Sequence, residues 1–174
     1  MVPMEDTLQL PREIGIEPTV QLALNDLIRP GDVVCDIGAH VGHLTQTMSY
    51  LTGPKGMVFS FEPAAKPMKK LLKRVAMGHL QNVYPYQVAL GEKTDISRLF
   101  HVGRFADENA LDPLFHEKPI TSEVVRSICL DDFFNALNMD QSLDLVKLDV
   151  DGAEYSVLVG MEKIIDIYIS GHQS

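Results

Sequence analysis

The sequence predicts an α/β protein, a doubly wound and mostly parallel sheet with helices on both faces. Three observations carry this. Short apolar runs alternate with stretches of helical periodicity, the pattern of successive β-α-β units. In the stretch 32–42, DVVCDIGAHVG, an apolar run reaches an acid and then a turn bracketed by Gly38 and Gly42. A second apolar run, MVFSF, closes on Glu62, so two successive strands each end at an acid.

Taken in order, residues 1–16 form an irregular N-terminal segment punctuated by Pro3 and Pro11, and 17–174 read as one domain. Pro18 opens a helix whose apolar face is Val20, Leu24, Leu27 and Ile28, because a first turn tolerates proline. Arg29-Pro30-Gly31-Asp32 stops it. Val33, Val34 and Cys35 make a buried strand that Asp36 ends, and after Gly42 the residues Leu44, Met48 and Leu51 recur at helical spacing. Beyond the second strand, 64–77 is a helix with Met68, Leu71, Leu72 and Val75 inward; Lys66, Lys69, Lys70, Lys73 and Arg74 crowd the other side as a solvated face. VYPYQVAL is a third strand, 91–95 a turn, and SRLFHV a short strand. Residues 103–121 have no period and read as a long loop, and 123–129 as a further strand. A helix with an Asp as N-cap follows at 130–134. LDLVKLDVDGAEYSVLVGM then supplies a strand ending near Asp149, a glycine turn, and a helix with Tyr155, Leu158, Val159 and Met161 inward.

Composition narrows the function. With 174 residues, 45% of them apolar, and a formal net charge of −9, the chain has core enough for a globular fold and an unsuitable field for nucleic acid or an anionic membrane. A small-molecule partner fits better. Two distant cysteines point to a reducing compartment. With no basic-apolar leader and no run of ~18 apolar residues, a cytoplasmic location is expected.

The turn D-x-G-x-x-x-G at 36–42 lacks the spacing of a dinucleotide or triphosphate loop. Those ligands need backbone amides around phosphate, whereas an acid beside the turn suits a cationic ligand without phosphate, such as S-adenosylmethionine. The alternative is a plain strand-to-helix turn with a capping Asp. Glu62, at the end of the second strand, is placed to accept hydrogen bonds from both ribose hydroxyls and is the best single candidate for ligand binding. Asp149, Asp151 and Glu154 lie within six residues and must repel unless a cation, a proton or a ligand amine relieves them. They are the candidate bases of the reaction, or else a solvated strand end with Glu154 favouring the helix N-terminus. His40 and His43 lack a third ligand and an HExxH pattern, so no metal is expected; His40 is better read as part of the ligand wall.

In RPGDVVCDIGAHVG, FSFEP, QNVYPYQVALGEK and KLDVDGAEYSVLVGM, in that order, the chain resembles the FkbM family of S-adenosylmethionine-dependent methyltransferases over roughly residues 17–163. The resemblance implies a Rossmann-like fold and methyl transfer to an oxygen, often a hydroxyl on a sugar or natural product. It implies that Asp36, Gly38 and Gly42 line the methionine side, that Glu62 binds the ribose with Pro63 beside the adenine, that Val88 and Ala89 face the adenine, and that Asp149 lies near the methionine moiety; Ala39 and His40, in the same turn, are counted with the cofactor-binding residues. His40 stands where the family commonly has Asn, and Asp151 where Glu is usual. After Gly160 only MEKIIDIYISGHQS remains, so the expected sheet is incomplete at its C-terminal strands. An open sheet edge would then favour a homodimer, or a non-catalytic binding module.

Overall fold

The computed structural model describes residues 17–101, 109–110, 121–139 and 143–171. The expected irregular segment 1–16 and most of the expected loop 103–121 lie outside them; the described residues of that loop, Asn109, Ala110 and Thr121, are in strands instead.

A parallel sheet in the order β3-β2-β1-β8 organises these residues. Its strands are β1 (Val33–Ile37), β2 (Met57–Phe61), β3 (Val83–Tyr86) and β8 (Leu145–Leu148). Every residue of β1 is buried because helices cover both faces, and Asp36 lies inside the strand instead of ending it. Side chains alternate across it. Val33, Cys35 and Ile37 join Phe59, Phe61, Leu130, Phe134 and Val157 in one core, packed against α4 (Leu130–Ala136), α5 (Glu154–Val159) and α6 (Glu162–Gly171). Val34 points the other way, to Leu24, Ile28, Leu44, Met48 and Val58. That layer holds α1 (Pro18–Leu27), α2 (His43–Thr52) and α3 (Ala65–Met77).

A second sheet was not anticipated. VYPYQVAL breaks after Tyr86, and β4 (Ala89–Leu90) pairs in parallel with β7 (Thr121–Ile128). β7 runs antiparallel to β5 (Asp95–His101), which also pairs with β6 (Asn109–Ala110), giving the order β4-β7-β5-β6. β4 thus follows β3 in the chain but belongs to the other sheet, which continuous apolar spacing cannot reveal.

Four apolar assignments fail: Leu27, Leu72, Tyr155 and Leu158 are exposed. Leu27 and Leu72 fall at the margin of their helices' apolar arcs, where a one-residue step of 100° separates buried from solvated, whereas Tyr155 lies on the side of α5 opposite its buried Ala153, Val157 and Met161. The expected Asp cap of α4 is also corrected. Cys129 is its N-cap, and Asp131 instead accepts from the Lys163 and Ile164 amides at the start of α6, both at 3.1 Å.

Candidate functional site

The chain passes from β1 outward through β2 to β3 and then returns to add β8 on the other side of β1. A crevice opens beyond the strand ends at this reversal, where open α/β sheets take their ligands. It holds a cavity of about 260 Å³. The β1–α2 turn contributes Gly38, Ala39 and His40, the end of β2 contributes Phe61, Glu62 and Pro63, Val88 and Ala89 form a third side, and Lys147 of β8 with Asp149 and Asp151 of the turn after it close the fourth.

The turn's hydrogen bonds restrict what can bind. Gly38 and Ala39 both donate their amides to the Phe61 carbonyl at 3.0 Å, His40 donates to Glu62 Oε2 at 2.9 Å, and Gly42 to the Ala39 carbonyl at 2.8 Å. Amides committed in this way make no cradle for a pyrophosphate. Gly38 has φ +77, and a Cβ there would overlap the Asp149 carbonyl oxygen, so glycine is what lets the ends of β1 and β8 approach.

Glu62 is 5% exposed. Its Oε1 accepts from the Ala64 amide at 2.8 Å while Oε2 holds His40, so one carboxylate ties the β1 turn to the entry of α3. Burial raises its pKa from the ordinary carboxylate value, against the two amide bonds, which lower it. Burial and the neighbouring Asp36 carboxylate likewise push the Cys35 thiol well up, leaving it an inert core residue.

Three of the expected site residues do not reach the cavity wall. Asp36 is fully buried behind it; Oδ2 accepts from Thr45 Oγ1 at 2.6 Å and Oδ1 lies 3.2 Å from Lys147 Nζ. Gly42 faces Leu71, and a Cβ there would overlap that side chain. Glu154 bends back to the Gly152 amide, 3.0 Å from Oε2, and stabilises its own turn at the start of α5. Asp149 and Asp151 do line the cavity. The strand ends at Leu148, so they are not successive residues of one strand face, and Asp151 adopts φ +38 in the turn.

Five described non-glycine residues have positive φ, and three of them, Glu17, His40 and Asp151, line this cavity. Such strain concentrates where side-chain identity matters to a ligand. Glu17, His43 and Lys147 were not foreseen as lining residues. Lys147 had a signal, an alternating LVKL strand with one cation, but its meaning depends on pairing with Asp36, the register of β8 on β1. Among the described residues, no group of three or more His, Cys, Asp or Glu is placed to hold a metal, and no helix is long and apolar enough to cross a membrane.

The chain is similar to known methyltransferases. The 31-O-demethyl-FK506 methyltransferase FkbM of Streptomyces tacrolimicus is 24% identical over 164 residues, spanning 78% of this chain and 61% of that protein. A crystal structure of a methyltransferase FkbM from Methylobacillus flagellatus KT superposes with a TM-score of 0.54 at 16% identity, over 86% of this chain and 38% of that one. The chain thus spans less than two thirds of the length of either, and the structural likeness shows a shared fold. The family model described as the methyltransferase FkbM domain matches residues 36–171, most of the chain, and on that match the protein belongs to the FkbM methyltransferase family.

Proposed function

We propose that this chain binds S-adenosylmethionine in the crevice and transfers its methyl group to a hydroxyl oxygen of a small molecule or sugar. The observation that carries the reading is Glu62, a buried acceptor at the end of β2, beside a glycine turn whose amides are already committed. A ligand with ribose hydroxyls and no phosphate matches both. Glu62 would accept from the ribose through its remaining lone pairs. Pro63, Val88 and Ala89 offer apolar surface for the adenine, and Gly38, Ala39, His40 and Asp149 surround the methionine end.

The cofactor supplies a methyl group activated on a sulfonium. The chain's residues position the acceptor oxygen in line with it, exclude water and take up a proton. A carboxylate on the cavity wall would take up the proton that the acceptor hydroxyl loses on methylation. Asp149 and Asp151 are the candidates on the cavity, with Glu154 held away by its own turn.

Calorimetric titration with S-adenosylhomocysteine tests the reading, with Glu62→Ala as the variant and melting curves to separate lost binding from lost folding. Wild type should bind and the folded variant should not. No binding to wild type would reject the proposal. A second reading, a non-catalytic module pairing with another copy, rests on β8, which among the described strands pairs only with β1. A stable monomer by light scattering would count against it.

A further inference from the structure

Lys147 is the one lysine or arginine among the described residues on the cavity wall, which otherwise carries Glu17, Glu62, Asp149 and Asp151. Its side chain is only 12% exposed and its ammonium meets three groups. Nζ donates to the Gly38 carbonyl at 3.0 Å, lies 3.2 Å from Asp36 Oδ1, and lies 3.7 Å from Asp149 Oδ2. The first contact goes beyond neutralising Asp36. Gly38 C=O and Ala39 N–H belong to one peptide unit, whose N–H is bonded to the Phe61 carbonyl. Lys147 holds the other end, so the plane of that peptide, part of the cavity floor, is fixed from both β2 and β8. The third contact is too long for a hydrogen bond and short enough to orient a carboxylate that is 60% exposed.

The cavity runs from Glu62 on the β2 side, across β1, to Lys147 and Asp149 on the β8 side. A nucleoside placed with its ribose at Glu62 therefore directs its 5′ substituent toward Lys147. We propose that Lys147 is a positioning residue for the amino-acid end of the bound ligand, setting the Gly38–Ala39 peptide and the Asp149 carboxylate against which that end is read. This rests on the adenosylmethionine reading above.

The test compares two ligands that differ in that end: S-adenosylhomocysteine, and 5′-methylthioadenosine, which lacks it. Since Lys147→Met alone would strand the buried Asp36 charge, the comparison is between Asp36→Asn and Asp36→Asn/Lys147→Met. Removing Lys147 in that background should weaken S-adenosylhomocysteine at least about tenfold and 5′-methylthioadenosine less than about threefold. Lys147→Arg, which keeps a charge against Asp36 but relocates the donors, is the second variant should the double variant not fold, and the same selective loss is expected. Equal loss of both ligands would mean a general structural role and would overturn the proposal, as would no loss of either. If wild type binds S-adenosylhomocysteine in these cases, the proposed function survives; if it binds neither ligand, both proposals fall.

Discussion

Replacing Gly38 by alanine is the most direct perturbation of the crevice. Two costs add. An L-residue held at φ +77 is strained by about 1–2 kcal/mol. The new methyl also overlaps the Asp149 carbonyl oxygen, with Asp149 C at 2.9 Å and Val150 Cγ1 at 3.3 Å. The obstacle is backbone, not a flexible side chain, so β8 must shift, an overpacking cost of about 1–3 kcal/mol. The total, about 2–5 kcal/mol, is a large part of a typical stability of about 5–15 kcal/mol. For a chain of this size it corresponds to a fall in Tm of about 4–20 °C. Gly31→Ala is the control, because Gly31 also has positive φ, +99, but nothing lies within 4 Å of its added Cβ. It should pay only the strain, about 1–2 kcal/mol. Circular dichroism melting of both variants, with S-adenosylhomocysteine titration at 15 °C below each Tm, reads out the difference. If Gly38→Ala melts with Gly31→Ala and binds the ligand like wild type, then the close approach of β1 and β8 is not what requires glycine here.

Glu62 should give opposite pH responses in folding and in binding. Its folded pKa is raised above 4.5, so its contribution to stability is full below about pH 4.5 and is lost as pH rises through the raised value. Ribose hydroxyls favour the ionised carboxylate, so S-adenosylhomocysteine affinity should instead weaken as pH falls through the same range; a Glu62→Gln variant that kept either dependence would refute the assignment. Asp151→Gly relieves about 1–3 kcal/mol of backbone strain, less about 0.5–1 kcal/mol of glycine chain entropy. Acceptor methylation, followed as S-adenosylhomocysteine release, should fall about 10²–10⁴-fold if Asp151 is the base, with the strain relief offsetting part of whatever stability its side chain contributes. Arg74 donates to the Val41 carbonyl at 3.0 Å and to Gln46 Oε1 at 2.8 Å and lies 3.2 Å from His43 Nε2. Arg74→Met should therefore cost about 1–3 kcal/mol in denaturant unfolding, whereas exposed Lys69→Met should stay within about 0.5 kcal/mol.

That last pair marks a limit of sequence reading. Arg74 shares the α3 surface pattern of its lysine neighbours, and charge periodicity assigns all of them to solvent. Only the packing of α3 against the β1–α2 turn places one guanidinium on three groups of α2 and its approach. Similarly, Asp36 and Glu62 look alike in sequence, an acid closing an apolar run. One is fully buried between Thr45 and Lys147, and the other reaches the cavity.

The order of α1, β1, α2, β2, α3, β3, β5, β7, α4, β8 and α5, the glycine turn and the family were legible in the sequence, because each rests on local periodicity or on short contiguous motifs; β4, β6 and α6 were not. The parallel sheet followed from that alternation. The tertiary structure alone decided that VYPYQVAL divides between two sheets, that Asp131 caps α6 and not α4, that Glu154 turns away from the cavity, and that Lys147 enters it. Each of these depends on which strand or helix lies beside which. Backbone hydrogen bonding between strands is indifferent to side-chain identity, so a residue's neighbour across the sheet is set by global packing, and the chain's own spacing carries no record of it.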